Sequence, residues 1–478
     1  MLFNSIDFAL FLPIVFLLYW FVTNKSLKLQ NLLLVAASYL FYGWWDWRFL
    51  FLILFSTLVD YTVGIALSKE KEKNKRLVLI WISILVNLGL LGFFKYYNFF
   101  LDNFTTAFSF FGRDINSSSL NIILPVGISF YTFQTLSYTI DVYKGKLTPT
   151  KDFVAFSAFV SFFPQLVAGP IERATNLLPQ ITSKRVFNPS EAKDGLYLIL
   201  WGLFKKIVIA DSCAVYVNEI FSNYEQMNSL TLLLGAVYFA FQIYGDFSGY
   251  SDIAIGTSKL FGVHLMRNFN FPYFSRDIAE FWRKWHISLS TWFRDYLYIP
   301  LGGSKVSKLI NLRNIFIIFL VSGFWHGANW TFIVWGGLHA LYFIPLSLTN
   351  RNRKNLNIVS QGKMIPSFRE LYSMLLTFFL VLIGWIFFRA DSVAIAFDYI
   401  QKLFAFNFKS GFQYLSTERY APELMILIIG FIIVEWSARE KEHPFFGKWI
   451  HLKIIATLVS IILLGVYSNV TDFIYFQF

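Results

Sequence analysis

Two histidines stand out by what surrounds them. His326 lies inside a run without Asp, Glu, Lys or Arg, FLVSGFWHGANWTFIVWGGLHALYF from 319 to 343, between Trp325 and Gly327. An ionisable side chain in so apolar a run is costly and marks a functional site by default. The neighbouring glycines let a substrate or a second backbone come close. A neutral imidazole there can take the proton of an attacking hydroxyl; a hydrogen-bonded structural histidine is the other reading. His339 is 13 positions on, about 220° around an unbroken helix, so the two share no face.

His286 sits in RDIAEFWRKWHISLSTWFRDYLYIPLGGSK, residues 276–305. On a wheel at about 100° per residue, Phe281, Trp285, Leu289, Trp292 and Tyr296 form one stripe. Glu280, Arg283, Lys284, Ser290, Thr291, Arg294 and Asp295 fall opposite, with His286 at the edge. The pattern predicts an amphipathic helix at the bilayer boundary, where Trp and Tyr anchor. Its basic face would guide an anionic or phosphate-bearing donor; a plain interfacial anchor is the alternative. A third segment, YGDFSGYSDIAIG at 244–256, sets Asp246 and Asp252 around Ser248, Tyr250 and Ser251. Two carboxylates there could bind a cation or fix the tautomer of a catalytic histidine. A helix break capped by Asp and Ser explains them equally.

Several chemistries lack their motifs. No histidine is followed five residues later by Asp, and GxSxG, GxGxxG, GxxxxGK[ST] and HExxH are absent. Hydrolase, nucleotide-binding and zinc-protease readings lose their usual support. The single cysteine, Cys213, sits in an apolar stretch and reads as a buried filler.

The elements that must position these residues are membrane helices. Of 478 residues, 56% are hydrophobic, 20% aromatic and 15% charged, against roughly 25% charge in soluble domains. Mean hydropathy is +0.53. Charge-free stretches run 8–24, 29–45, 77–94, 115–140, 153–171, 226–245, 314–350, 371–388 and 454–471, with 49–68, 195–222 and 424–438 as further candidates. Segment 314–350 is too long for one crossing and reads as two helices with a break between. The result is an all-α polytopic protein with about 11 to 13 membrane helices or re-entrant segments, taken as a single domain over 1–478. Segments 121–140 and 161–173 carry Pro and Gly and read as broken elements lining a chamber. Lys25, Lys28 and the run SKEKEKNKR at 68–76 favour cytoplasmic loops, which puts the N-terminus outside the cytoplasm. The formal charge of +12 reports topology and anionic lipid rather than nucleic acid.

These segments together resemble the membrane-bound O-acyltransferase (MBOAT) family, in its bacterial alginate O-acetyltransferase-like branch. ASYLFYGWW at 37–45, FFKYYNFF at 93–100, LPVGISFYTFQTLSYTIDVYKG at 124–145 and FPQLVAGPI at 163–171 carry the resemblance. So do YGDFSGYSDIAIG, EFWRKWHISLSTWFRDYLYIPLGG and GFWHGANWTFIVWGGLHA. The motif-bearing core is about 30–345, and helices beyond 370 are less characteristic. Lys284 and Ser304 stand where Arg and Asn are often seen. The resemblance implies a helical bundle around a central funnel in the bacterial inner membrane.

It also makes the WHG histidine, His326, the catalytic residue and His286 the second conserved polar position. The candidate substrate-binding set is Trp325, Asn329, Arg283, Trp285, Arg294, Asp295, Asp246, Ser248, Tyr250 and Asp252, with no metal. The expected chemistry moves an acetyl group from a cytoplasmic thioester to an extracytoplasmic hydroxyl on a polysaccharide or on a partner acetyltransferase. His326 would be the base, and His286 would orient the donor or stabilise the oxyanion; an acyl-histidine route stays open. No cofactor is expected to be tightly bound: acetyl-CoA or a carrier-bound acyl thioester is the co-substrate. A non-catalytic platform for extracytoplasmic acetyltransferases and an ion-coupled transporter are the competing functions.

Overall fold

The computed structural model describes residues 1–110, 119–167, 169–408, 411–413, 421–467 and 473–474. It holds twenty α-helices and no β-strand among the described residues. In chain order they are α1 (Ile6–Leu17), α2 (Leu27–Asp46), α3 (Leu50–Lys69), α4 (Lys73–Leu91), α5 (Tyr97–Phe110), α6 (Ile128–Tyr143), α7 (Phe153–Ser161), α8 (Phe163–Leu166), α9 (Ala174–Thr182) and α10 (Pro189–Leu203). There follow α11 (Asp211–Ser222), α12 (Ser229–Leu260), α13 (Ile278–Lys284), α14 (Ile287–Phe293), α15 (Lys308–His326), α16 (Trp330–Leu348), α17 (Phe368–Arg389), α18 (Val393–Leu403), α19 (Ala421–Ala438) and α20 (Ile450–Leu464).

Among the described residues, six helical runs are long and apolar enough to cross a membrane, and four shorter apolar helices accompany them. Two of the runs hold two helices each, α2 with α3 and α4 with α5, so the apolar helices among the described residues agree with the expected 11 to 13. Their joints are single turns: a 3-10 turn at Trp47–Phe49 and a π-helical turn at Gly92–Tyr96. The protein is an all-helical, multi-pass membrane protein. Large apolar side chains such as Leu85, Ile433 and Ile462 are exposed on these helices, as a lipid-facing surface requires.

The described chain forms two compact units. The first comprises Met1–Leu196 with Ala254–Met266. Its interior is rich in phenylalanine: Phe11 meets Phe163 edge-on at 5.2 Å, and Phe163 meets Phe261 at 5.7 Å. The broken segment at 121–140 begins as extended chain. Helix α6 starts only after Gly127, whose φ of 75° suits glycine. The segment 161–173 breaks after Ser161 into the single turn α8.

The second unit comprises Tyr197–Ile253 with Arg267–Phe478 and contains all the candidate site residues. Helix α12 runs unbroken for 32 residues, through the 244–256 segment where a capped break was one expectation. The 314–350 run does break in two, as its length required. Ser307 caps α15, Asn329 caps α16, and Ser367 with Glu370 forms a reciprocal capping box on α17. Cys213 is fully buried on α11.

Candidate functional site

His326 is the last residue of α15, and the chain turns there because of its neighbours. Gly327 is extended, and Asn329 then accepts the Thr331 amide at 3.0 Å to start α16. The two helices fold back on each other along glycines. A Cβ on Gly323 would strike the Phe332 carbonyl, and one on Gly336 the Phe319 carbonyl. The break overturns the expectation that His326 and His339 cannot meet one surface, since the wheel assumed an unbroken helix. Both imidazoles pack on Trp335, at 5.1 and 5.0 Å between ring centroids.

The predicted helix over 276–305 is also interrupted. Helix α13 ends at Lys284, Trp285 is extended, and His286 takes φ 43°, ψ 55° before α14 begins. A left-handed non-glycine residue costs of order 1–3 kcal/mol and persists only where its surroundings enforce it. Asn268 does so. Its carbonyl accepts the Ile287 amide at 2.9 Å, and its Oδ1 accepts from the Ser288 amide and hydroxyl at 3.2 and 2.9 Å. The turn drives the His286 ring inward, 6.3 Å from His326, 5.8 Å from Trp325 and 4.6 Å from Phe247. Burial pushes its pKa down to about 3, so the imidazole is uncharged and fit to exchange hydrogen bonds.

The other predicted residues divide. Trp325 packs on both histidines, 5.0 Å from His326. Trp285 is buried, stacked on Phe281 at 5.5 Å. Arg283 donates to the carbonyls of Asn352 and Asn355 at 2.7 and 2.8 Å, pinning the loop after α16. Glu280 is buried rather than on a wet face. Burial opposes its charge, but Arg276 and Lys284 outweigh that and hold the carboxyl below its usual range. Arg294 is exposed and pairs with Asp295 at 2.7 Å.

Asp246, Ser248, Tyr250 and Asp252 are all on α12. Asp252 pairs with Lys205 at 2.6 Å and Asp246 with Lys206 at 2.8 Å; Lys206 also reaches Asp211 at 2.8 Å. Tyr250 lies 4.5 Å from Phe473, and Ser248 is fully buried. Both lysines lie inside 195–222, a candidate membrane segment. Cations at membrane depth demand partners, and that was the available signal. They lie on a π-helical stretch, Phe204–Ala210. No group of three or more His, Cys, Asp or Glu could hold a metal among the described residues.

Two cavities share walls with the aromatic cluster around His326. One of 570 Å³ is lined by Arg294, Lys308 and Arg353 and also by Trp282, Phe319 and Ser322. The other, of 440 Å³, is lined by Gln242, Asn329, Thr331, Arg389 and Asp391 together with Phe332 and Phe388. Phe388 touches His326 at 5.4 Å, and Trp282 touches Trp335 at 5.6 Å. Lys308, Arg353, Gln242 and Arg389 had no sequence motif to mark them.

Comparison with known proteins decides the family. The membrane-bound O-acyltransferase family model matches residues 148–388, which include both histidines. The chain belongs to that family. This MBOAT protein is 39% identical to a probable alginate O-acetylase of Pseudomonas aeruginosa, over 85% of this chain and 75% of that one. It is 33% identical to a peptidoglycan O-acetyltransferase of Helicobacter pylori, over 100% and 98%. A teichoic acid D-alanyltransferase of Bacillus subtilis is 27% identical over 56% and 69%. The chain is therefore a membrane O-acyltransferase.

Proposed function

We propose that this MBOAT protein transfers an acetyl group from a cytoplasmic thioester to a hydroxyl outside the cytoplasm, on a polysaccharide or on a partner acetyltransferase. The observation that carries the reading is the ring cluster around His326, which two cavities of unlike chemistry join through Trp282 and Phe388. Lys305 before α15, Lys308 as its first residue, and Arg351, Arg353 and Lys354 after α16 favour a cytoplasmic setting for that end of the hairpin. The basic cavity belongs to that end and suits an anionic thioester, acetyl-CoA or a carrier-bound one. His326 is at the opposite end of α15, roughly 28 Å away by helix rise.

The polar cavity with aromatic walls lies on the His326 side. Its amide, carboxylate and guanidinium groups suit a hydroxylated acceptor. His326 takes the hydroxyl proton as the oxygen attacks the thioester carbon. The C–S bond then breaks, and the proton passes to the departing thiolate. His286, neutral and buried, holds the reacting groups in line. The relatives named for alginate and peptidoglycan support a polysaccharide destination. Such a destination suits a protein of the bacterial inner membrane, and the basic loops at Lys25, Lys28 and 68–76 favour an N-terminus outside the cytoplasm.

The test measures base-releasable acetate on polysaccharide fractions from three host strains: wild type, a deletion, and the deletion carrying His326→Ala at matched membrane levels. Loss of acetate from one fraction in both mutants is expected. Restoration by His326→Ala would sink the catalytic assignment and favour a platform without chemistry.

A further inference from the structure

Two hydrogen-bond donors beside His326 are buried without an acceptor. Trp335 and His339 are each 0% exposed, and neither the Trp335 Nε1 nor the His339 Nε2 has a partner among the described residues. The protonation of His339 follows from its other nitrogen. Trp282 donates its indole N–H to His339 Nδ1 at 3.2 Å, so a neutral His339 carries its proton on Nε2. Both groups are therefore N–H donors. Buried donors are nearly always paired, and an unpaired one calls for an explanation in function or in a missing acceptor.

The two donors converge. They lie on successive turns of α16, at i and i+4, and so on one face. That face meets α17 at Gly384. A Cβ there would stand 3.0 Å from His339 Nε2 and 3.6 Å from Trp335 Nε1. Glycine at this point puts no side chain against either donor. The position fits the reaction too. Trp282, which holds His339, also lines the basic cavity, and the Trp335 ring lies against His326.

We propose that the Trp335 Nε1–H and the His339 Nε2–H together cradle the carbonyl oxygen of the acyl thioester over Gly384. The proposal rests on the acyl-transfer reading above. As the acceptor oxygen bonds to the carbonyl carbon, the C=O electron pair moves onto oxygen, and two fixed donors stabilise that charge. When the C–S bond breaks the carbonyl re-forms. The proton that His326 removed goes to the thiolate, so atoms and charge balance without a further reactant.

The experiment supplies radiolabelled acetyl-CoA to permeabilised host cells and follows base-releasable label in the polysaccharide fraction. The full-length protein and its variants are compared at matched membrane levels. Trp335→Phe keeps the ring stacking and removes one N–H. Its maximal rate should fall about 10²-fold, with the KM for acetyl-CoA nearly unchanged. His339→Ala should fall similarly, and His339→Gln, which returns an N–H donor, should recover most of the rate. Gly384→Ala removes neither donor but fills the space, and should also lose about 10²-fold. If Trp335→Phe and Gly384→Ala both stay within about threefold of wild type while His326→Ala is inactive, the cradle is wrong and the transfer reading stands. If His326→Ala keeps the wild-type rate, the transfer reading fails and takes the cradle with it.

Discussion

His286 and His326 face each other across 6.3 Å, one from a left-handed turn between two short helices and the other from the end of a long one. Neither position is independent of its surroundings. Asn268 forces the turn at His286, and the glycine crossing of α15 and α16 fixes the end of the helix that bears His326.

The Asn268 brace should matter almost as much as the ring it orients. Asn268→Ala removes the acceptor of Ser288 and leaves buried polar groups unpaired, a loss of about 1–3 kcal/mol. Transfer should fall about tenfold with His286 still present. Thermal unfolding in detergent, alongside the acetate assay, checks both; a stable variant at full rate would deny the brace any role.

The ion pair of Lys205 with Asp252 should behave as a buried unit. Lys205→Met alone leaves an uncompensated carboxylate and should cost about 3–5 kcal/mol. Lys205→Met combined with Asp252→Asn should recover most of that. A double-mutant cycle on unfolding temperature reads the coupling, and additive losses would mean that the two groups do not act on each other.

Gly336 and Gly337 offer adjacent positions with opposite outcomes. Gly336→Ala drives a methyl into the Phe319 carbonyl and should destabilise by about 1–3 kcal/mol while displacing His326. At Gly337 a Cβ meets only the flexible Leu320 side chain, at 3.8 Å. Gly337→Ala should be neutral or more stable by up to about 1 kcal/mol. Melting curves of the two variants settle the contrast.

The basic cavity should govern donor affinity. Arg294→Ala with Lys308→Ala should raise the KM for an anionic thioester about tenfold and leave kcat nearly unchanged. The wild-type KM should rise with ionic strength, and the variant's much less. An unchanged KM would place the donor elsewhere.

Composition and local pattern were enough for the class of protein. So little charge requires lipid around the chain, lipid requires helices, and the length of 314–350 requires a break. The isolation of His326 in an apolar run marked it at once, because its cost is a property of the run itself.

Other assignments depended on partners far along the chain. The helical wheel presumes an unbroken helix, so it missed the turn at His286 and set His339 apart from His326. It also gave Arg283 a free basic face, whereas its guanidinium is committed to the carbonyls of Asn352 and Asn355. Asp246 and Asp252 read as open carboxylates until Lys205 and Lys206 supplied their counter-charges. Local sequence thus determined the class, the helices and the costly setting of His326. Only the tertiary structure decided which buried charges neutralise one another and which rings surround His326, because those choices are made by groups that meet only when the helices pack.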